Sequence, residues 1–123
     1  MIPIVTPAEM AAIDAAAPVP VAALVERAGA AVARTAVEFM GGTYGRRVAV
    51  IAGKGNNGAD GRAAATRLQR RGVRCVVLDP DIATLPPEFD LVIDAAYGTG
   101  LSRPYDFPAV PDGVPVLAVD IPS

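Results

Sequence analysis

Apolar positions recur along this chain with two different periods, and the switches between them mark its elements. Thr6-Pro7-Ala8-Glu9 has the form of a capping box, with Thr6 accepting from the Glu9 amide and Glu9 reaching back, which predicts a helix start. Met10, Ile13 and Ala17 follow at helical spacing, and Pro18 and Pro20 stop that helix and launch a second. The second carries a stripe of Val21, Leu24, Val25, Ala28, Val32, Ala36 and Phe39, with Glu26, Arg27, Arg34 and Glu38 off it, and Gly41-Gly42 ends it. Gly29 among alanines predicts close packing against another backbone. The pattern then becomes continuous. Val48 to Ala52 reads as a strand buried on both faces, as in a parallel sheet. A glycine-rich loop, 53–61, leads to a helix over Arg62 to Arg71 with Ala64, Ala65 and Leu68 inward, arginines 62, 67, 70 and 71 on a solvated face, and Gly72 as its stop. Val73 to Leu78, Leu91 to Ile93 and Val116 to Val119 are expected as three further strands of the same buried kind.

These elements predict an α/β, Rossmann-like three-layer sandwich with a mainly parallel sheet, preceded by two N-terminal helices. Residues 79–90 carry Pro80, Pro86 and Pro87, and residues 101–115 carry Pro104, Pro108, Pro111 and Pro115, so neither connection should hold a full helix. Part of one sheet face is therefore expected to lie uncovered until a further segment or a partner subunit buries it. The expected organisation is one domain over 1–123, incomplete at its C-terminus.

Composition narrows the classes. At 123 residues, 52% of them hydrophobic, the chain can build a single core but not two. Eleven basic against thirteen acidic residues give a net charge of -2, which leaves no broad positive surface for a nucleic-acid backbone. Apolar runs of about five residues fall far short of the roughly 20 needed to cross a bilayer. The lone Cys75, in an apolar run, is expected to be a packing residue, and with no leader pattern at the N-terminus a cytoplasmic setting is expected. There is no His, hence neither the commonest general base nor the commonest metal ligand.

Candidate chemistry gathers where strands end, the edge at which open parallel sheets bind ligands. The first such place is Gly53-Lys54-Gly55-Asn56-Asn57-Gly58-Ala59-Asp60-Gly61, whose glycines permit positive φ and close backbone approach ahead of a helix N-terminus, a geometry suited to phosphate. It is not a Walker loop. Gly53, Gly55 and Gly58 satisfy a dinucleotide spacing, with Asp79 as the only acidic residue after the next strand in a ribose-binding position. Asn56 and Asn57 could equally be left-handed turn residues, and Asp60 a helix cap. The second place is Asp94 before Ala95-Ala96-Tyr97-Gly98-Thr99-Gly100, and the third is Asp120-Ile121-Pro122-Ser123. Two carboxylates emerging from apolar strands, with Asn57 and Ser123, make an all-oxygen set that suits a hard cation or a proton-transfer site better than zinc.

Those three motifs, in that order, resemble the signatures of the NAD(P)HX epimerase (YjeF N-terminal) family, and the likeness extends to Thr6 through Asp14 and to Leu24-Val25-Glu26-Arg27-Ala28-Gly29. Ala59 stands where that family usually has Gly, and Tyr97 where Phe is common. The resemblance implies an isomerase of nicotinamide cofactor repair that interconverts the R and S forms of hydrated NADH and NADPH, alone or as the N-terminal module of a bifunctional epimerase/dehydratase. By the same resemblance Asn56, Asn57, Gly58, Ala59 and Asp60, with Gly98, Thr99, Gly100, Leu101, Ser102, Arg103 and Pro104, would bind the NADHX or NADPHX substrate. Asp120 would touch the hydrated nicotinamide as the catalytic acid/base, and Asn57, Asp94 and Ser123 would hold a potassium ion (K+). The expected partners are a second copy in a homodimer, or a missing C-terminal segment or dehydratase domain, with neither nucleic acid nor membrane. The alternative is a non-catalytic nucleotide-binding or protein-interaction module of the same fold. A dehydrogenase would need a hydride-transfer site and a substrate domain that the sequence does not display.

Overall fold

The computed structural model describes residues 2–5, 20–82, 84–96 and 108–119. In chain order the elements are β1 (Ile2–Val5), α1 (Val21–Met40), β2 (Arg47–Ala52), α2 (Asn56–Arg70), β3 (Arg74–Leu78), β4 (Leu91–Ala95) and β5 (Val116–Val119). The five strands form one sheet in the order β1-β5-β4-β2-β3, and every neighbouring pair is parallel. The helix expected over 6–17 lies outside the described residues. β1 was not foreseen, because a four-residue run containing Pro3 reads as a leader to a helix rather than a strand. Its position at the sheet edge is where a proline's missing N–H is tolerated.

Both helices pack on one face. Val48, Val50 and Ala52 of β2, Leu91, Ile93 and Ala95 of β4, and Leu117 and Val119 of β5 meet Ala28, Val32, Ala33 and Ala36 of α1 and Ala64, Ala65 and Leu68 of α2. Each fully buried large side chain there, such as Ile93, Leu91 or Leu68, contributes about 1.5–3 kcal/mol. The buried stripe of α1 is Ala28, Gly29, Val32, Ala33 and Ala36, shorter than expected: Val21 is 70% and Phe39 47% exposed, because the helix ends overrun the sheet. Gly29 does pack on backbone. A Cβ there would stand 2.5 Å from the Ala63 Cβ and 3.0 Å from the Ala63 carbonyl carbon. An exposed Arg67–Glu26 ion pair of 3.3 Å also links the two helices and adds little stability. Gly41, in the left-handed region at φ 76°, closes α1 with its N–H donating to the Val37 carbonyl at 2.9 Å.

The expectation of an uncovered second face is overturned at the sheet centre. Ala49, Ile51 and Val92 are fully buried there, under Ile82, Leu85, Phe89, Val110 and Val114 from the two proline-rich connections. The described parts of those connections, 79–82, 84–90 and 108–115, are held without helices. Leu85 N–H donates to the Ala109 carbonyl at 3.0 Å, Thr84 bridges Ala109, and Asp90 exchanges hydrogen bonds with Arg47. Among the described residues the third layer is thus irregular chain. The edge strand β3 corrects another expectation: only Cys75 is buried, whereas Val76 and Val77 are 46% and 42% exposed, since β3 has a neighbour on one side only. Cys75 is a packing residue, and burial pushes its thiol up to about 12.

Candidate functional site

The strand order sends the connection after β2 to β3 on one side and the connection after β4 to β5 on the other, so the two diverge between the adjacent ends of β2 and β4. The crevice at such a switch point is where doubly wound sheets hold ligands. Gly53 extends the end of β2, its N–H donating to the Ala95 carbonyl of β4 at 3.1 Å.

The glycine-rich segment is not the loop that its composition predicts. α2 begins at Asn56 rather than Arg62, with Gly55 as an extended N-cap that has no side chain to offer. Gly53, Gly55, Gly58 and Gly61 all avoid the left-handed region, as does every non-glycine residue among those described. What three of them supply is close approach. A Cβ at Gly53 would overlap the Ala96 carbonyl, one at Gly58 the Gly53 carbonyl, and one at Gly61 would lie 2.5 Å from the Ala95 Cβ. The glycines therefore let the first two turns of α2 sink against the ends of β2 and β4. The readings of Asn56 and Asn57 as left-handed turn residues, and of Asp60 as a cap, fall with the loop.

The amides of Asn56, Asn57 and Gly58 precede the first α-helical bond, Ala59 N–H to Gly55 carbonyl at 3.1 Å, and no acidic residue occupies the first turn. This end of α2 is suited to an anion. Asn57 is 3% exposed; its Nδ2 donates to the Val119 carbonyl at 2.9 Å, fastening α2 to the end of β5. Its Oδ1 is buried with no hydrogen-bond partner among the described residues, an acceptor in need of a donor or a cation. Asp60, also 3% exposed, lies one turn before Ala63 and Ala64, against which Gly29 packs, and desolvation raises its pKa to about 6. Asp94 is half-buried in β4, in register with Ile51 of β2 and Ala118 of β5. Its Oδ1 accepts from the Ala96 N–H at 3.1 Å; burial raises its pKa and that hydrogen bond opposes the rise. Strand alternation turns Asp94 away from the α2 face, so Asn57 and Asp94 flank the β4–β5 end from opposite sides. Gly98 to Pro104, Asp120 and Ser123 lie outside the described residues.

Two further basic residues belong to this edge. Arg62, expected on a solvated face, donates from Nη2 to the Gly53 carbonyl at 2.9 Å and braces the turn. With Lys54 it lines a cavity of about 550 Å³ between the ends of β2 and β3, which Ala52, Gly53, Gly55, Asp79, Pro80 and Asp81 complete. The arginine pattern alone gave no hint of this, because placing Arg62 required the true start of α2.

A parallel sheet with a glycine-mediated helix N-terminus at its switch point defines a Rossmann-like α/β domain. The chain belongs to the family of the YjeF-related protein N-terminus, whose pattern matches residues 21–88. It is 38% identical to the NAD(P)H-hydrate epimerase of Rhodobacter capsulatus across 81% of this chain and 65% of that protein. It is 37% identical to the bifunctional NAD(P)H-hydrate repair enzyme Nnr of Mycobacterium leprae across 68% of this chain and 23% of that one. The crystal structure of yeast ynu0 superimposes with a TM-score of 0.71 at 26% identity, over 98% of this chain and 70% of that one. The chain thus spans just under two thirds of the first relative and about a quarter of the second. Among the described residues no helix is long and apolar enough to cross a membrane.

Proposed function

We propose that this chain is an NAD(P)H-hydrate epimerase, or the epimerase module of a bifunctional repair enzyme, acting in the cytoplasm on the R and S forms of hydrated NADH and NADPH. The observation that carries the reading is Asn57. A buried side chain spends its donor on the carbonyl of Val119, the residue before Asp120, and keeps its acceptor without a partner among the described residues, at the end of α2 where three amides precede the first helical bond. The names of the relatives support the substrate class.

In this reading the amides of Asn56, Asn57 and Gly58, with Ala59 and Asp60 and with Gly98 to Pro104, bind the substrate, mainly its phosphates and ribose. Asp120, which follows β5, holds or returns a proton at the hydroxyl-bearing ring carbon's oxygen. The unpaired Oδ1 of Asn57 and the Asp94 carboxylate are hard oxygen donors that fit a potassium ion completed by Ser123. Such an ion would supply positive charge that neutralises Asp94 and favours its ionised form. Assembly as a homodimer or with a following C-terminal or dehydratase segment is part of the same proposal, supported by the bifunctional relatives.

The test combines the purified chain, potassium and an S-specific dehydratase with an R/S mixture of hydrated NADH, and follows absorbance at 340 nm. Recovery of the R share with the wild-type chain but not with Asp120→Asn is expected. Recovery confined to the S share in both cases would overturn the epimerase reading.

A further inference from the structure

The cavity between β2 and β3 lies on the far side of the Gly53–Gly55 turn from Asn57, Asp94 and β5, and none of the chemistry above uses it. Its wall is chemically mixed. Lys54 and Arg62 bring positive charge from the turn and from α2, and Asp79 and Asp81 bring negative charge from the end of β3. A pocket for phosphate alone would not carry two carboxylates. Asp79 is also held in place: its Oδ1 accepts the Asp81 N–H at 2.9 Å, leaving Oδ2 as a positioned acceptor. Asp79 follows the strand next to the one that bears the glycine turn, which in dinucleotide-binding sheets is where a carboxylate receives the ribose hydroxyls of the adenosine half.

The spans agree. From β5 to β3 there are three interstrand steps of about 4.8 Å, roughly 14 Å in all. A ligand with its pyrophosphate at the α2 amides and one nucleoside toward β5 must send its other nucleoside toward β3. We propose that the Lys54–Arg62–Asp79 cavity is the adenosine-ribose subsite, and that Asp79 reads the 2′-hydroxyl, so that the chain prefers the non-phosphorylated cofactor, NADHX, over NADPHX. This rests on the epimerase reading for the substrate's identity, but not for the pocket. A 2′-phosphate would place a dianion against Asp79 and Asp81, whereas a ribose diol donates to Oδ2 and leaves Lys54 for the pyrophosphate.

Calorimetric titration with ADP-ribose and with its 2′-phosphate tests the subsite without catalysis. Wild type is expected to bind ADP-ribose at least ~10-fold tighter, the scale of one charge-assisted hydrogen bond. Asp79→Ala should bring the two affinities within about threefold, mainly by weakening ADP-ribose. Asp79→Asn keeps an oxygen for the Asp81 N–H and removes the charge, so it should gain affinity for the 2′-phosphate without disturbing the turn. Equal affinities in wild type, or a ratio unchanged in both variants, would overturn the inference. Epimerisation of both substrates at equal kcat/KM would also overturn it and leave the epimerase reading intact. The expected binding ratio without epimerisation would uphold the subsite while refuting the activity.

Discussion

Replacing Gly61 by Ala sets two physical effects against each other at one position. In an exposed helix interior the change would stabilise by about 1 kcal/mol, since Gly is the poorest helix former after Pro. Gly61 is not exposed. It sits on the sheet-facing side of α2, where the new Cβ would stand 2.5 Å from the Ala95 Cβ and 3.1 Å from Val50 Cγ1. The Ala95 methyl is fixed to a fully buried strand and cannot rotate away, so overpacking falls at the upper end of its usual range, about 3 kcal/mol. The net expectation is a loss of about 2 kcal/mol, read as a lower urea midpoint with an unchanged slope. Because α2 must lift from the sheet to admit the methyl, the Asn57–Val119 hydrogen bond should weaken with it. Adding Ala95→Gly removes the opposing carbon, and the double mutant should recover at least ~1 kcal/mol relative to additivity. A Gly61→Ala variant more stable than wild type, or strict additivity in the double mutant, would refute the close helix–sheet contact on which the site's geometry depends.

Two other substitutions probe the buried polar groups. The Asp60 pKa is raised from 3.8 to about 6, so the folded state binds more protons than the unfolded between those values and stability should fall as pH rises through that window. The full loss above pH 6 is at most about 3 kcal/mol, and Asp60→Asn should flatten the pH profile and be the more stable protein at pH 8; an unchanged profile in thermal melts would refute the assignment. Asn57→Ala leaves the Val119 carbonyl without its donor and should cost about 1–3 kcal/mol in urea unfolding. It should also abolish any stabilisation by KCl over NaCl at equal ionic strength, and a potassium effect that survives the substitution would remove Asn57 from the cation site.

Much of the architecture was legible because periodicity reports burial directly. The continuous apolar run in β2 argued for an interior parallel strand, and Gly41 and Gly72 marked helix ends because each takes a positive φ. The site was legible as residue types: Asn57 and Asp60 were singled out from the sequence and are the two buried polar side chains among the described residues. Their setting was not legible. Glycine and asparagine are poor helix formers, so local propensity assigned residues 56–61 to a loop, whereas α2 starts at Asn56 because its backbone must touch two strand ends. The same ambiguity hid Arg62 as the brace on Gly53.

What the sequence determined by itself was the strands β2 to β5, the existence of α1 and α2, the parallel character of the sheet and the motifs that mark the family, all of which depend on the spacing of neighbouring residues. Only the tertiary structure decided which strand became the exposed edge, how the described parts of two proline-rich connections bury Ile51 and Val92, and that Asp79 shares a cavity with Lys54. Those outcomes depend on contacts between segments distant in the chain, where close approach and desolvation, rather than local preference, set the free energy.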